Sequence, residues 1–242
     1  MSFSFQEYLK IIDKVRKNIP IFSFKDALKK EKFFLVRHDV EFSVKRSLEL
    51  ARFESENKIN STYFFQARNN CYNPFSVENK LMIREIKDLG HEIGLHAHMG
   101  DLNDINKIEE YIISDCVSMS NLLGLKIETF SFHRPKKEYL QLNLKINGLI
   151  NTYQNEFFTF SEDLKDLETL YLADSNHMWK WGNPLDIDFK EKNKVQMLTH
   201  PYSWTPIGYD NENNFKTLLN EKDAELRDSM TSECNSFINF NK

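Results

Sequence analysis

The sequence has few cysteines, and their number and spacing exclude two kinds of site. Cys71, Cys116 and Cys234 are odd in number and far apart along the 242 residues. Neither a paired-cysteine metal motif nor a disulfide framework has this pattern. Reduced thiols in a cytosolic protein are the simplest interpretation.

Long hydrophobic runs are also absent. No stretch approaches the roughly 18 consecutive apolar residues that a membrane-spanning helix needs. The first ten residues contain no basic segment followed by an apolar one, which a secretory signal peptide would have. We therefore expect a soluble, cytoplasmic protein with no membrane span.

No part of the sequence concentrates positive charge. Acidic and basic residues are interspersed, and the formal net charge is -4. A nucleic-acid-binding domain would have a basic stripe or patch, so nucleic acid is not an expected partner. There are no internal repeats or low-complexity linkers, and 242 residues suffice for a single domain with a sizeable core.

What the sequence does contain is a series of strand-like runs that alternate with helix-like segments. Repeated strand–helix units favour a parallel sheet, either open or closed into a barrel. A helical segment within residues 1–30 and a C-terminal helix within 211–242 flank these units. The predicted strands lie at 33–41, 61–66, 91–98, 127–133, 149–153, 169–173 and 195–200, and the predicted helices between them at 43–58, 77–89 and 104–123.

Two carboxylates close the first predicted strand. Strand side chains alternate between faces, so Asp39 and Glu41 point the same way, while His38 points the other. Burial of two adjacent carboxylates requires a metal ion, another cation or a proton to compensate their charge. The pair therefore indicates chemistry more than packing.

Two histidines end the third predicted strand. By the same alternation Gly94, His96 and His98 share a face, and Gly94 leaves room below the two imidazoles. A His-x-His pair alone is more often ordinary polarity than a metal site. Two histidines plus one carboxylate from a neighbouring strand end would suit a catalytic divalent ion with open positions for water.

Three further strands end in polar groups, at His133-Arg134-Pro135, at Asp174-Ser175 and at Thr199-His200-Pro201. Each of these strand ends, taken singly, is best explained by polar groups that cap the strand or that form hydrogen bonds within a loop. Five such ends in one chain are harder to assign to chance, because functional side chains of parallel sheets and barrels lie at the carboxyl ends of strands.

In this order the motifs resemble those of the polysaccharide deacetylases, which are carbohydrate esterase family 4 (NodB homology). The most similar pattern is that of members found among surface-polysaccharide biosynthesis proteins. The similarity runs from about residue 33 to residue 204. It is carried by residues 37–41, 90–96, 133–135, 174–179 and 198–200, of which 90–96 is the most specific match.

The resemblance implies an α/β fold, an incomplete (β/α)7 barrel, and a divalent metal ion, most often zinc. It implies removal of an N-acetyl or O-acetyl group from a sugar; formyl is a possible alternative group, and a nucleotide- or lipid-linked precursor is the expected acetylated substrate. The implied roles are catalytic base for Asp39, metal ligand for Glu41 and His96, partner of the base for Arg134, positioning of the acid for Asp174, and general acid for His200.

Three departures from the family pattern affect the implied metal site. Gly100 occupies the position of the usual second histidine ligand, for which His98 is the nearest replacement. Glu41 replaces the usual aspartate, and no residue separates Arg134 from Pro135. Three other imidazoles lie near the same motifs and could complete the ligand set, those of His38, His133 and His177.

These departures leave two alternatives open. One is a catalytically inactive deacetylase-like domain that binds a carbohydrate or a partner enzyme. The other is a different metal-dependent hydrolase, acting on a cyclic amide or a phosphoester.

Two groups of apolar residues also have two interpretations each. Aromatic residues at two of the motifs could form a wall against a sugar ring or pack in the core; these are Trp179, Trp181, Tyr202 and Trp204. The C-terminal helix could cover the barrel or pair with a second subunit through Phe215, Leu218, Leu219 and Leu226. The sequence does not fix the oligomeric state.

Overall fold

The fold is built on seven parallel strands, which a computed structural model places in one sheet. The model describes residues 2–100, 104–161, 167–180, 182–234 and 236–237. The strand order is β5-β4-β3-β2-β1-β7-β6. The strands are β1 (Phe33–Val40), β2 (Thr62–Phe65), β3 (Glu92–Ala97), β4 (Thr129–Phe132), β5 (Ile150–Asn151), β6 (Thr169–Ala173) and β7 (Lys194–Thr199).

The sheet curls until its two edges approach each other. β5 and β6 are the edge strands and do not pair. Nevertheless the ring of Tyr153, just after β5, lies 6.4 Å from the ring of Tyr171 on β6. Arg37 on β1 also donates across the interior to Thr152 Oγ1 at 3.0 Å. These contacts confirm the predicted incomplete barrel.

Seven helices accompany the sheet in the described residues. Ser43 caps α3 by accepting from the Arg46 amide, and Gly124 ends α5 with a left-handed φ of 69°. The predicted helix at 104–123 begins as a 3-10 turn, Ile105–Lys107, before α5 starts. The helices are α1 (Phe5–Arg16), α2 (Phe24–Ala27), α3 (Val44–Glu56), α4 (Val77–Asp88), α5 (Ile108–Leu123), α6 (Lys137–Gln141) and α7 (Asn211–Glu233).

The two predicted terminal segments are helical over the parts that the structure describes. Residues 1–30 contain α1 and α2, and residue 1 lies outside the described residues. Residues 211–242 contain α7, and residues 235 and 238–242 lie outside them. Within the described ranges no helix combines the length and the apolar character needed to cross a membrane.

Strand register sets which side chains meet at the carboxyl edge. His38 on β1 is level with Thr199 on β7, so Asp39 and His200 follow side by side. Beneath this edge Gly94 allows close packing, because a Cβ there would lie 2.5 Å from the Phe64 ring. The fold thus collects polar groups from β1, β3 and β7 above a tightly packed interior.

Candidate active site

The strand ends surround one cleft of about 850 Å3. Because all seven strands are parallel, their carboxyl ends lie at one edge of the sheet, where barrels carry their functional groups. Six residues singled out above as site residues or spare imidazoles line the cleft: Asp39, Glu41, His96, His133, Arg134 and His200. The structure therefore brings the ends of β1, β3, β4 and β7 together in one place.

Asp39 forms a buried two-pronged ion pair with Arg37. Arg37 Nε donates to Asp39 Oδ1 at 2.8 Å, and a terminal guanidinium nitrogen donates to Oδ2 at 2.7 Å. Both residues are almost fully buried. Burial alone would raise the pKa of Asp39, but the Arg37 charge outweighs it and lowers this pKa to about 2. Asp39 is therefore ionised at neutral pH.

This pair corrects the partner expected for Asp39. The resemblance assigns that place to Arg134, but Arg134 is exposed at the cleft and has a left-handed φ of 46°. Arg37 lies two residues before Asp39 on the same strand face, so it reaches the carboxylate without any loop. The alternation of side chains along the strand already placed Arg37 and Asp39 on the same face, but Arg37 was not among the predicted site residues.

Three ligand atoms converge beside Asp39. His133 Nδ1 lies 3.3 Å from Glu41 Oε1 and 3.1 Å from His96 Nε2. One ligand atom from each of the three residues lies within 4.8 Å of the other two. Burial raises the pKa of Glu41, but the hydrogen bond with His133 and the His200 charge lower it overall. The group is thus an ionised carboxylate with two imidazoles.

The orientation of His96 leaves one ring nitrogen free to coordinate. Ser131 Oγ lies 2.8 Å from His96 Nδ1 and 3.5 Å from Asp39 Oδ1. Because ionised Asp39 can only accept, Ser131 donates to it and accepts from the Nδ1–H of His96. The Nε2 lone pair of His96 therefore points toward Glu41 and His133. Burial lowers the pKa of His96 to about 3, so the imidazole is neutral.

This donor set fits a divalent metal ion of the kind the resemblance implies. Ligands of a tetrahedral ion at about 2.0–2.1 Å lie about 3.3 Å from one another, and the two short separations around His133 match that spacing. The Ser131 hydroxyl holds the His96 ring through Nδ1. Hydrogen bonds of this kind orient metal-binding histidines in other proteins.

His98, the predicted replacement ligand, lies outside this group. β3 ends at Ala97, so the alternation that would place His96 and His98 on one face does not extend to His98. His98 is exposed, and its ring packs edge-on against His133 at 4.9 Å. His133 supplies the second imidazole in its place. Gly100 is exposed and has a left-handed φ of 53°.

The other two spare imidazoles, those of His38 and His177, form contacts outside the ligand group. His38 points to the outer face of β1, where its Nε2 lies 2.9 Å from Glu54 Oε1. His177 stacks on Phe3 at 3.9 Å and lies 3.1 Å from the Tyr209 carbonyl. Among His38, His133 and His177, only His133 therefore joins the ligand group.

His200 also lies near Glu41 and is held by Asp174. His200 Nδ1 lies 2.6 Å from Asp174 Oδ1, and Trp204 Nε1 donates to Oδ2 at 2.7 Å. Burial lowers the pKa of His200, but the Asp174 carboxylate outweighs it and raises this pKa to about 9. His200 is therefore protonated at neutral pH, with Nε2 3.9 Å from Glu41 Oε1.

The aromatic residues at the two motifs divide between the two interpretations given above. Trp204 is buried against Asp174, Trp179 packs on Trp204 at 6.2 Å, and Trp181 lies outside the described residues. Of the four predicted aromatics, Tyr202 lines the cleft. Five aromatics that sequence reasoning did not select also line it: Phe132, Tyr153, Phe158, Phe160 and Tyr171.

The solved structures that are similar to this chain include family 4 carbohydrate esterases. No protein-family model and no curated protein match the sequence. A family 4 carbohydrate esterase from Bacillus anthracis shares 17% identity over 90% of this chain and 86% of that chain, with a TM-score of 0.42. A carbohydrate esterase of the same family from Streptococcus mutans shares 13% identity over 84% and 85%, with a TM-score of 0.46.

A family 4 pseudoenzyme from Bacillus anthracis is similar to the same degree. It shares 12% identity over 81% of this chain and 62% of that chain, with a TM-score of 0.46. This chain spans 62% to 64% of the length of the pseudoenzyme structures it matches. At these identities the similarity concerns the chain path, and the roles of individual residues depend on the geometry described above.

Proposed function

We propose that this protein is a metal-dependent hydrolase that removes an acetyl group, N-linked or O-linked, from a sugar. The observation that carries the proposal is the convergence of three groups in one cleft. These are an ionised, arginine-paired aspartate, a carboxylate with two imidazoles, and a protonated histidine. Together they supply the base, the ligands and the acid that hydrolysis of an acyl group needs.

In this proposal Glu41, His96 and His133 hold the metal ion. Zinc is the proposed metal, because imidazole and carboxylate ligands suit zinc. When bound, such an ion polarises the acyl carbonyl and lowers the pKa of water toward about 7. The ligand atoms belong to side chains that are buried or half-buried, so little rearrangement is needed to bind it.

Asp39 is the proposed general base. Its Oδ2 lies 3.6 Å from His96 Nε2, so the carboxylate faces the ligand group. A carboxylate with a pKa of about 2 is a weak base, and it can take a proton efficiently only from water that has been made acidic. Arg37 keeps this carboxylate ionised and fixes both of its oxygens.

His200 is the proposed general acid. Asp174 accepts from His200 Nδ1 and thereby fixes the ring so that Nε2 faces the cleft. Protonated at neutral pH, Nε2 can donate to the leaving amine or alcohol of the sugar. Asp174 positions the acid and does not line the cleft itself.

The cleft suits a sugar carried on a phosphate-containing group. Its aromatic side chains offer flat surfaces for the C–H face of a sugar ring, which they contact by dispersion. Arg134 lies exposed at the same cleft, and Asp39 pairs with Arg37 instead. The Arg134 guanidinium could therefore bind a phosphate. We therefore extend the proposal to nucleotide- or lipid-linked precursors of surface polysaccharide.

A substrate panel tests the proposed function. The metal-free protein and the protein loaded with one equivalent of zinc are incubated with N-acetylated nucleotide sugars, and released acetate is measured by mass spectrometry. Metal-dependent release from at least one substrate is the expected result. Stoichiometric metal binding without release would favour another hydrolase, and failure to bind any divalent ion would favour the inactive binding domain.

Replacing His133 should impair metal binding far more than replacing His98. Loss of a residue that only hydrogen-bonds to a metal ligand costs about 10–100-fold in metal affinity, so loss of a ligand itself should cost more than about 100-fold. We expect that penalty for His133→Ala in zinc titrations by calorimetry. His98→Ala is the matched control and should bind zinc within about threefold of wild type. Equal losses in both variants would contradict the assignment of His133.

The activity should depend on the proton of His200. Because its pKa is raised to about 9, kcat/KM should fall as the pH rises through about 9, where the acid loses its proton. Asp174→Asn removes the carboxylate that raises this pKa, so the alkaline limb should move down toward about 6.5. Complete pH profiles of both proteins test this. An unmoved alkaline limb in the variant would exclude His200 as the titrating acid.

A further inference from the structure

Gln66 is a buried amide at the carboxyl end of β2 that was not among the predicted site residues. It directly follows the last residue of the strand, is 3% exposed and does not line the cleft. Its backbone N–H donates to the Tyr72 hydroxyl at 2.9 Å, and that hydroxyl donates to the Val40 carbonyl at 2.8 Å. The backbone of Gln66 is therefore fixed against the end of β1, next to Glu41.

Strand register places Gln66 between two residues of the ligand group. β2 lies between β1 and β3 in the sheet. Its register, continued by one residue past its end, puts Gln66 level with Glu41 on one side and with His96 on the other. The side chain points toward the same group, since Gln66 Nε2 lies 3.4 Å from His133 Nδ1.

The distance from this amide to His133 resembles the distances within the ligand group. His133 Nδ1 lies 3.3 Å from Glu41 Oε1 and 3.1 Å from His96 Nε2. The 3.4 Å to the Gln66 amide is a third separation of this size from the same nitrogen. Ligands of one tetrahedral ion lie about 3.3 Å apart, so the end of the Gln66 side chain has the position of a further ligand.

The other contacts of His133 decide which end of this amide faces the group. Glu41 is ionised and His96 Nε2 presents a lone pair, so both can only accept. His133 Nδ1 between them therefore carries a proton and donates. Gln66 Nε2 is also a donor and would oppose that proton, whereas Oε1 would accept it. A half-turn of the amide exchanges the two atoms, so the carbonyl oxygen is the end that fits.

We propose that the side-chain carbonyl oxygen of Gln66 is a fourth ligand of the metal ion, beside Glu41, His96 and His133. This ligand rests on the metal site of the proposed function and extends it. In the metal-free protein the His133 proton lies among three acceptors, an arrangement that also suits a metal cation. The four ligands then come from the ends of four neighbouring strands, β1 to β4. Because Gln66 is buried and does not line the cleft, positions that face the cleft stay open for water and substrate.

Zinc titration of the full chain by calorimetry tests the fourth ligand without any substrate. Gln66→Leu keeps most of the side-chain volume but removes the oxygen, so it should raise the zinc dissociation constant by at least about tenfold. Gln66→Glu keeps an oxygen at the same reach and adds a negative charge, so it should bind zinc at least as tightly as wild type. Equal weakening in both variants would show that the amide matters only to the fold, and would overturn the proposal.

Gln154→Leu is the matched control for loss of a buried amide. Gln154 is 6% exposed and does not line the cleft, and its Oε1 accepts from the Asn151 N–H at 3.3 Å. Its replacement should leave the zinc dissociation constant within about threefold of wild type. Circular dichroism checks that all variants stay folded. A loss of affinity as large as that of Gln66→Leu would assign both losses to the fold and overturn the proposal.

Visible absorption of the cobalt-loaded protein reports on the ligand set itself. Cobalt(II) binds nitrogen and oxygen ligands as zinc does, and its absorption bands depend on the number and kind of those ligands. Gln66→Leu should change the position or intensity of the bands, whereas Gln154→Leu should leave them as in wild type. An unchanged spectrum of cobalt-loaded Gln66→Leu would exclude Gln66 as a ligand.

Failure of the fourth ligand and failure of the proposed function give different results. If wild type binds zinc and releases acetate while Gln66→Leu binds zinc equally well, the fourth ligand is wrong and the proposed function stands. If wild type binds no divalent ion, the metal site of the proposed function is wrong, and the fourth ligand is overturned with it.

Discussion

Replacing Asp39 with asparagine should lower kcat for deacetylation by about 10²–10⁴-fold, with KM little changed. This is the usual contribution of a positioned general base, and asparagine cannot accept the proton of water. KM should hold because the base acts in the transition state and not in substrate binding. Acetate release by the zinc-loaded protein, measured over a range of substrate concentrations, gives both constants.

The same substitution also disturbs stability, which must be separated from catalysis. Arg37 is fully buried, and Asp39→Asn leaves its charge without a counter-charge. Breaking a buried ion pair by removal of one partner typically costs about 3–5 kcal/mol. Thermal unfolding of the variant should therefore show a lower midpoint, and activity must be measured well below it.

A double variant separates the two effects. Arg37→Gln together with Asp39→Asn removes both charges, so it should regain part of the stability that Asp39→Asn loses. It should regain none of the activity, since the base is still missing. Full activity in either protein would exclude Asp39 as the base, whereas parallel recovery of stability and activity would show that Asp39 acts only through the fold.

Much of this site could be predicted because parallel strands bring distant parts of a sequence to one edge. The carboxyl ends of β1, β3 and β7 had to meet once the alternating strand–helix pattern was recognised. The strand register then fixes Asp39 beside His200. The choice of Asp39, Glu41, His96 and His200 needed only strand positions.

Two of the differences from the expected site arose where a strand ends or where a loop sets the direction of the chain. His98 was selected by alternation, but alternation holds only within a strand and β3 ends at Ala97. His133 follows β4, and its approach to Glu41 depends on the path of the chain after the strand, which periodicity does not describe. The pairing of Arg37 with Asp39 lay within a strand and was predictable from alternation.

A second site of buried charge lies on the outer side of β1, around Glu54 of α3. Glu54 is fully buried, and burial would raise its pKa, but His38 outweighs this and lowers the pKa to about 2. Tyr8 and His38 contact its Oε1, while Ser61 and Tyr63 each donate to Oε2 at 2.7 Å. An ionised carboxylate has about four acceptor positions, and this cluster uses all of them.

The Glu54 cluster joins elements that hold the candidate active site. Tyr8 belongs to α1, His38 to β1 and Glu54 to α3. His38 Nδ1 also lies 2.6 Å from Thr199 Oγ1, directly before His200. The cluster therefore ties β1 to β7 next to Asp39 and His200. It is a stabilising contribution to the site from residues that do not line the cleft.

Replacing Glu54 with leucine should lower the free energy of unfolding by about 3–5 kcal/mol. The substitution leaves the hydroxyls of Tyr8, Ser61 and Tyr63 and the ring nitrogen of His38 buried without their acceptor, and each unsatisfied group costs about 1–3 kcal/mol before relaxation. Urea unfolding followed by circular dichroism measures the change.

Glu56→Leu on the same helix separates burial of charge from the change of side chain. Glu56 is exposed, so its replacement should alter the free energy of unfolding by no more than about 0.5 kcal/mol. Glu54→Gln retains the shape and one acceptor oxygen, so it should fall between the two variants. If Glu54→Leu were as stable as Glu56→Leu, the buried carboxylate would contribute nothing that packing cannot replace. The tie between β1 and β7 would then depend on the apolar core alone.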